Sequence, residues 1–464
     1  MQRLIKKLFV LGTASLLTVN ASAFSLMGPF ASWQTAATGF NLPGDVGGPM
    51  NFFEGYRVTV PILNYGYDAT FLNFFGSNGV AAIESAMTIL NAVPAASAMS
   101  PSLAEFPVQA VGPANATAAG LQVFDLKSAA LSTVLGQMGL ASPERWTYTL
   151  RDRVVVANTT NYTVIQRNYD PVNLRPTNIV NGVLYTYTVT EGLLPGNYTD
   201  AVETRVSGNA NNRSVASLDD GLGLGPGQFF TSLTRDDYGG LRNLLRFNSV
   251  KTETLADGAG SVTLADTTTS PFAPFQGTNA QTNVAVATAR RPGIDKVSFN
   301  SIPIDSLLNV AIRQITNRYV DTFYHPTNAY LTNQTLQRVI SLPDILFTAG
   351  DLLIVAGVPV MINPVSTSSR WVNNFALNTV GGGSGILSGP GVIPAATSNT
   401  TAIVIEFSTL GPSRANSNSF GARFIDERSS TVNGVWGFFD TTTIYSVFPD
   451  GLTIQDLQRQ LYGP

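Results

Sequence analysis

The chain offers few residues that could carry out catalysis. It contains no cysteine and a single histidine, His325, in the stretch DTFYHPTNAY. Cysteine nucleophiles are therefore excluded, and one histidine cannot build a multi-histidine metal site within one chain. A Ser-His-Asp triad needs only one histidine, but no G-x-S-x-G motif accompanies it. We interpret His325 as a turn residue before Pro326, beside the aromatic residues Phe323 and Tyr324.

Paired carboxylates are the second arrangement that could do chemistry, because glycoside hydrolases use two of them. The candidates are Asp219-Asp220, Asp236-Asp237 and Glu427. Adjacent carboxylates are more typical of turns and helix starts, so the sequence assigns no catalytic residue. Asp219 and Asp220 also lack the D-x-D-x-D-G spacing of a calcium loop, and segment 221–228 lacks the lysine of a phosphate-binding loop. We expect no metal site and no cofactor.

The first 23 residues have the pattern of a signal peptide. Three basic residues precede an apolar stretch at 8–19, which is followed by the small residues Ala21, Ser22 and Ala23. The apolar stretch is shorter than the roughly 20 residues that a membrane-spanning helix needs. The pattern predicts cleavage between Ala23 and Phe24, no transmembrane segment afterwards, and a secreted protein at the cell surface, in the medium or in the periplasm.

Composition and charge limit the kinds of molecule that the chain is expected to bind. Without the three basic residues of the leader, the 27 Lys and Arg residues fall to 24 against 30 Asp and Glu residues, which leaves a formal charge of −6. An acidic chain is a poor ligand for polyanions, so we expect no nucleic acid partner. Charged residues make up 12% of the chain, about half of the usual quarter. A neutral polar surface of this kind favours extracellular, self-associating or glycan-facing proteins.

Two groups of residues are candidate sites of modification or assembly. Residues 24–50 are punctuated by Gly and Pro and predict an extended arm, whose residues Phe24, Phe30 and Trp33 could pack into a neighbouring copy. Sequons of the N-x-S/T type are glycosylation sites if the host glycosylates; they lie at Asn115, Asn158, Asn161, Asn197, Asn212, Asn333 and Asn399.

Residues 51–250 predict an α+β domain. The stretch 56–68 favours a strand, and the apolar spacing at 79–90 predicts a helix capped by Ser77 or Asn78. A second helix is predicted at 125–138, starting from a capping Asp and stopping at Gly139. Alternation of apolar and polar residues from Trp146 onward predicts a hairpin, followed by a strand at 183–192 and a helix at 236–245.

The rest of the chain predicts a β-rich domain. Residues 251–290 are poor in large apolar residues and predict a linker. Residues 291–464 repeat short β-branched and aromatic runs between Gly, Pro and Asn turns, which favours a sandwich-like domain with a C-terminal helix. The predicted fold class is an α+β N-terminal domain followed by an all-β C-terminal domain.

The stretch DLKSAALSTVLGQMGLASPERW, residues 125–146, resembles the active-site helix of metzincin zinc proteases. Placing Gly139 on the turn glycine of that motif puts Ser132, Gly136 and Ser142 where three His ligands would stand, and Thr133 where the general base would be. The resemblance implies a degenerate matrixin-like core that binds no catalytic zinc. A long β-rich segment between the second and third helices departs from the standard domain, so an unrelated α+β domain stays open.

Longer stretches of the chain resemble a family of uncharacterised exported proteins of Verrucomicrobia and related bacteria. These stretches include FFEGYRVTVPILNYGYDATFLNFFGSNGVAAIESAMTILNAVP, LTRDDYGGLRNLLR and RRPGIDKVSF. The resemblance implies bacterial export and carries no activity with it. Three hypotheses follow: a non-enzymatic structural or surface-layer subunit that self-associates, a glycan- or peptide-binding module on a degenerate protease-like core, and a secreted glycan hydrolase with unidentified carboxylates.

Overall fold

The computed structural model describes residues 23–40, 47–52, 54–193, 197–209, 211–216, 224–255, 262–264, 285–325, 330–350, 354–355, 358–359, 365–369, 372–373, 391–392, 396, 401–409 and 434–462. Few helices and many strands in several sheets make up these residues, which confirms the predicted mixed α+β class with substantial β content. Among them, no helix is both long and apolar enough to cross a membrane.

The helices are α1 (Ala69–Asn91), α2 (Ala116–Gly120), α3 (Leu126–Gln137), α4 (Arg235–Leu245) and α5 (Ile454–Tyr462). The strands before residue 210 are β1 (Phe24–Gly28), β2 (Gly48–Pro49), β3 (Ile62–Tyr67), β4 (Val123–Asp125), β5 (Leu140–Ala141), β6 (Thr149–Val156), β7 (Thr159–Ile165), β8 (Asn168–Tyr169), β9 (Ile179–Val180), β10 (Val183–Leu193) and β11 (Tyr198–Ser207). The later strands are β12 (Lys251–Thr254), β13 (Val262–Leu264), β14 (Thr288–Arg291), β15 (Ser298–Ser301), β16 (Ile304–Asp305), β17 (Val310–Ala311), β18 (Ile315–Tyr324), β19 (Leu331–Ile340), β20 (Ile345–Gly350), β21 (Ile354–Val355), β22 (Val358–Pro359), β23 (Val365–Ser369), β24 (Val372–Asn373), β25 (Gly391–Val392), β26 (Ile403–Ser408), β27 (Val435–Phe439) and β28 (Ile444–Val447).

A five-stranded sheet in the order β15-β3-β20-β26-β23 forms the centre of the molecule. Its first four strands run parallel, and β23 is antiparallel at one edge. Ile345 pairs with both Tyr65 and Ile403, which fixes the register across three strands. Phe347 and Phe407 are fully buried, as expected of parallel strands that are covered on both faces. The sheet joins strands from both sides of residues 251–290.

A second five-stranded sheet has the order β12-β14-β18-β19-β13. Its strands β12 and β14 lie at the two ends of segment 251–290 and pair with each other, Lys251 opposite Arg291. The long hairpin of β18 and β19 pairs Ile315 with Ile340 and Tyr324 with Leu331. The pairing of β12 with β14 therefore holds the two ends of segment 251–290 side by side.

Helix α1 begins earlier than its apolar spacing predicts. The side chain of Asp68 accepts a hydrogen bond from the backbone N–H of Phe71 (2.9 Å) and caps the helix, so the predicted capping by Ser77 or Asn78 is wrong. Gly76 interrupts the helix with φ 55° and ψ −159°, a backbone conformation that favours glycine. Because of this interruption, Phe71 and Phe75, both fully buried, lie outside the apolar period that predicts the helix.

Helix α3 runs through the centre of the core, and every one of its residues is buried. Its predicted bounds are confirmed, because Asp125 caps it by accepting from the Ser128 backbone N–H (3.0 Å). The helix stops at Gly139, which has φ 104°. A β-carbon at Gly139 would lie 2.1 Å from the carbonyl oxygen of Tyr56, so the close approach of the chain there requires glycine.

Several other local predictions agree with the structure. β6 and β7 form the predicted hairpin, with Val156 opposite Thr159. β10 covers the predicted strand and pairs along its length with β11. The predicted helices at 236–245 and at the carboxyl end correspond to α4 and α5.

The predicted arm is part of the core of its own chain. β1 pairs with β2, β5 and β8, with Phe24 opposite Tyr169 and Met27 opposite Pro49. All five residues of β1 are buried, and Phe24 is 2% exposed. The Phe24 side chain is therefore not available to a neighbouring copy, which corrects its assignment to an assembly arm. Phe30 and Trp33 are half-buried beside the cluster around Trp146.

Candidate functional site

Among the described residues, those that the sequence singled out for chemistry do not meet in one site. His325 stacks on Tyr330 with ring centroids 5.3 Å apart, and its backbone N–H donates to the Tyr330 carbonyl (2.9 Å). Asp219, Asp220 and Glu427 lie outside the described residues. Within the described residues, no group of three or more His, Cys, Asp or Glu side chains could hold a metal ion.

The positions matched to the zinc-protease motif are buried inside the molecule. Ser132, Thr133 and Ser142 are at most 6% exposed. The hydroxyl of Thr133 donates to the carbonyl of Ala129 one turn earlier (2.8 Å). Because Gly136 is buried as well, these positions pack against protein in the described part of the chain.

The Asp236-Asp237 pair is a structural element at the start of α4. Asp237 accepts from the backbone N–H and the hydroxyl of Thr234 (2.7 and 2.5 Å), which forms a capping box. It also accepts from the backbone N–H of Ala216 (2.7 Å). Asp236 accepts from the backbone N–H groups of Ala23 and Asn181. The helix-start interpretation of this pair is confirmed, although both carboxylates are buried.

An open polar cleft of about 510 Å³ lies at the β15 edge of the central sheet. Helix α1 forms one wall, β3 and β15 form the floor, and the chain leading into β18 forms the other wall. Its lining is dominated by neutral amides and hydroxyls with one cation, namely Thr88, Asn91, Asn300, Ser301, Arg313 and Asn317. Apolar side chains also line the cleft, and among them Pro303 is exposed and Ile315 is half-buried. Ligand sites commonly combine such apolar surface with a few placed polar groups.

Glu84 is held in position by two tyrosines. The phenol of Tyr65 donates to one carboxylate oxygen (2.6 Å), and the phenol of Tyr67 donates to the other (3.0 Å). Burial, together with the charge of Glu84, raises the pKa of both phenols well above the usual range. Both tyrosines therefore stay protonated donors at neutral pH, and they fix the carboxylate at the cleft wall.

Asn317 presents a buried polar group to the opposite side of the cleft. The residue is 9% exposed, and its amide nitrogen Nδ2 has no hydrogen-bond partner in the described part of the chain. By contrast, the Asn91 amide is paired at both its oxygen and its nitrogen, because it accepts from the Phe299 N–H (2.8 Å) and donates to the Phe299 carbonyl (2.9 Å). Buried donors are normally paired, so the unpaired Nδ2, which is closed to solvent, makes Asn317 a costly residue for the fold at the edge of the cleft.

The β16–β17 hairpin stands directly beside the cleft. Pro303 and Arg313, which flank it in sequence, both line the cleft. Its tip exposes apolar side chains: Leu307 is 81% exposed and Leu308 is 69% exposed, and Ile312 at its base is 70% exposed. This apolar tip, defined by Leu307, Leu308 and Ile312, is a second candidate interaction surface.

No protein-family model, no curated protein and no solved structure matches this chain. Its function is therefore inferred from the geometry of the cleft and of the surfaces around it.

The sequons differ in accessibility. Asn115 is 2% exposed, caps α2 by accepting from the Ala118 N–H (2.9 Å), and donates to the Asp440 carbonyl (2.8 Å). It is therefore closed to modification once the protein has folded. Asn212 is half-buried and donates to the Asn181 carbonyl (2.9 Å). The exposed sequons are Asn158, Asn161, Asn197 and Asn333, and Asn399 lies outside the described residues.

Sequence reasoning missed the cleft because its residues carry no common signal. Glu84 belongs to a helical face, Ser301 ends a strand, and Asn317 is one of many asparagines in a polar chain. Only the pairing of β15 with β3 and the packing of α1 bring them together.

Proposed function

We propose that the protein is an exported binding protein whose cleft holds a small hydroxyl-rich ligand, such as a short saccharide. The observation that carries this proposal is the lining of the open cleft, in which neutral amides and hydroxyls such as Asn300, Ser301 and Asn317 predominate. An open cleft of this volume suits a small molecule. Export is supported by the leader pattern of residues 1–23.

The chemistry of the lining supports a sugar over a charged ligand. Asparagine amides and Ser or Thr hydroxyls can donate and accept, as sugar hydroxyls do. One cation, Arg313, and one carboxylate, Glu84, face the same cleft, so the charges of the lining balance. Apolar surface from Pro303, which is exposed, and Ile315, which is half-buried, suits the C–H faces of a sugar ring.

Binding is favoured over hydrolysis by the state of Glu84. A glycoside hydrolase needs a carboxylic acid and a second carboxylate across the bond. Glu84 is the one acidic side chain among the residues lining the cleft, and both of its oxygens accept hydrogen bonds from tyrosines. We therefore assign Glu84 a role in orienting the ligand and not in hydrolysis.

A screen of the purified mature protein against an array of soluble saccharides and peptides tests the proposal. Thr88→Trp places an indole at the exposed wall of the cleft, and the matched control Asn78→Trp places one on α1 outside it. We expect a saccharide to bind, and Thr88→Trp alone to weaken binding by about tenfold or more. Binding of peptides only, or equal binding by both variants, would refute the proposal.

Self-association is a second candidate function, supported by the apolar tip at Leu307, Leu308 and Ile312. Contiguous exposed apolar side chains mark interaction sites in soluble proteins. A second copy could reach this tip, whereas Phe24 is buried. Deletion of residues 24–33 would remove a core strand and is not a test of assembly.

A further inference from the structure

The β6–β7 hairpin is a two-stranded sheet that is exposed along most of its length. Its pairing is regular from Asp152 to the turn at Ala157 and Asn158. Both turn residues have positive φ (44° and 67°), as in the two-residue turns that match the twist of paired strands. The last six residues of β6 are exposed. The outer part of the hairpin therefore has a regular backbone that is open to solvent.

A carboxylate of β10 holds both strands of the hairpin on one side. Glu191 accepts hydrogen bonds from Nε of Arg153 (2.6 Å) and from the phenol of Tyr162 (2.6 Å), and these two residues lie opposite one another. Because side chains alternate along a strand, Val154 and Val156 point to the other side, where they are 46% and 57% exposed. A two-stranded ribbon is marginally stable without further strands, so an added strand would stabilise this one.

The outer edge of β7 lacks the features that usually protect the edge of a sheet. Within the described residues, β7 pairs with β6 alone. Its sequence, TTNYTVI, contains no charged residue and no proline, which are common protections of exposed edges. Four of its seven residues are exposed, namely Thr159, Asn161, Tyr162 and Thr163. The backbone donors and acceptors of this edge are therefore a template for another strand.

We propose that the outer edge of β7 pairs antiparallel with β7 of a second copy of this chain. The two copies then share a four-stranded sheet with their β7 strands at its centre. A two-fold axis beside Tyr162, the middle residue of the strand, gives the longest overlap. This axis places Tyr162 opposite its own copy and Asn161 opposite Thr163 of the partner subunit.

The side chains of β7 suit pairing with a copy of the same strand. None of them is charged, so the pairing avoids the like charges that destabilise opposed strands. The proposed axis puts two Tyr162 rings side by side, and cross-strand aromatic pairs stabilise sheets. Two-fold dimers of this kind are the commonest homo-oligomers. The interface uses neither the cleft nor the apolar tip, so its test is independent of the proposed function.

Sedimentation velocity of the purified mature protein over a range of concentrations tests the interface. The protein comes from a host that attaches no glycans, because Asn161 is a sequon. Asn161→Lys combined with Thr163→Lys puts like charges opposite one another across the proposed axis. The matched control, Thr186→Lys combined with Thr188→Lys, adds the same charge at exposed positions of β10 with the same spacing. We expect a dimer that the β7 substitutions weaken by about tenfold or more and that the control leaves unchanged. A monomer at every concentration, or equal association of the two variants, would overturn the proposal.

Disulfide cross-linking tests the register of the pairing. The chain has no cysteine, so Asn161→Cys and Thr163→Cys each carry a single thiol. Directly opposed residues of antiparallel strands have Cα atoms about 4.5–5.5 Å apart, a distance that a disulfide can bridge. We expect an equal mixture of the two variants to form a linked dimer in air, and either variant alone to form far less. Equal yields in all three samples, or no linked dimer, would overturn the proposal. This result decides even if the lysine variant does not fold.

Discussion

The phenol of Tyr65 donates a 2.6 Å hydrogen bond to Glu84 across the boundary between the central sheet and α1. Tyr67 donates to the other carboxylate oxygen at 3.0 Å. Two side chains of β3 therefore hold one side chain of α1, and this contact joins the floor of the cleft to one of its walls.

Removal of the carboxylate should cost stability in a graded way. Glu84→Gln keeps an acceptor but loses the charge, and we expect the free energy of unfolding to fall by about 1 kcal/mol. Glu84→Ala leaves both phenols without this acceptor, and we expect a loss of about 2–4 kcal/mol. Urea unfolding of both variants checks the order; equal losses would contradict the role assigned to the two hydrogen bonds.

A buried ion pair ties the segment before β3 to β12. The Arg57 guanidinium contacts Glu253, and both side chains are almost fully buried. Arg57 also donates to the carbonyls of Ser249 (2.6 Å) and Arg291 (3.1 Å). Glu253→Gln removes the counter-charge and should lower the free energy of unfolding by about 3 kcal/mol.

The exposed pair of Arg153 and Glu191 is the matched control for this change. Exposed pairs contribute little to stability, so Glu191→Gln should leave the midpoint of urea unfolding unchanged. A similar loss of stability in both variants would show that burial does not determine how much the Arg57–Glu253 pair contributes to stability.

Lys251 gives the folded protein a pH dependence of known sign. Burial, with Arg57 nearby, lowers the pKa of Lys251 from 10.5 to about 7. The folded-state pKa is depressed, so protonation opposes folding: the contribution to stability is complete above pH 10.5 and is lost as the pH falls toward 7. Lys251→Met should therefore raise the unfolding midpoint at pH 6, and the gain should shrink as the pH rises from 7 to 10. A gain that does not vary with pH would contradict the shift.

The apolar tip of the β16–β17 hairpin predicts a change in association without a change in stability. Leu307 and Leu308 contribute little to the core because they are 81% and 69% exposed. Replacing both with Ser should leave the melting temperature unchanged and should lower the average mass seen by light scattering at high protein concentration. An unchanged mass distribution would rule out self-association through this tip.

Local patterns in the sequence predicted several secondary-structure elements but did not predict how those elements are arranged. The bounds of α3 followed from a capping Asp125 and a terminating Gly139, which are chemical features of the helix itself. The β6–β7 hairpin followed from two strand-forming runs around a turn. The start of α1 was missed because Gly76 breaks the apolar period between two buried pieces of one helix.

Long-range pairing was beyond the sequence because it leaves no local pattern. β3 pairs in parallel with β15 and β20, whose residues lie far beyond it in the chain. The cleft depends on that pairing, since Glu84, Ser301 and Asn317 meet only when β15 lies beside β3. Each of these residues alone is indistinguishable from an ordinary surface polar group.

Asn317→Leu tests the central claim most directly, because binding and stability should respond in opposite directions. Leucine removes the unpaired Nδ2 from a buried position, so the melting temperature should stay the same or rise. Affinity for the saccharide found on the array should fall by about five- to tenfold. Thr316→Ala, on an exposed neighbour that does not line the cleft, should change neither quantity. Titration calorimetry and thermal melts of the unchanged protein and the two variants measure both quantities. Unchanged affinity of the Asn317→Leu variant together with a lower melting temperature would show that Asn317 serves the fold and not a ligand. That result would contradict the proposed function.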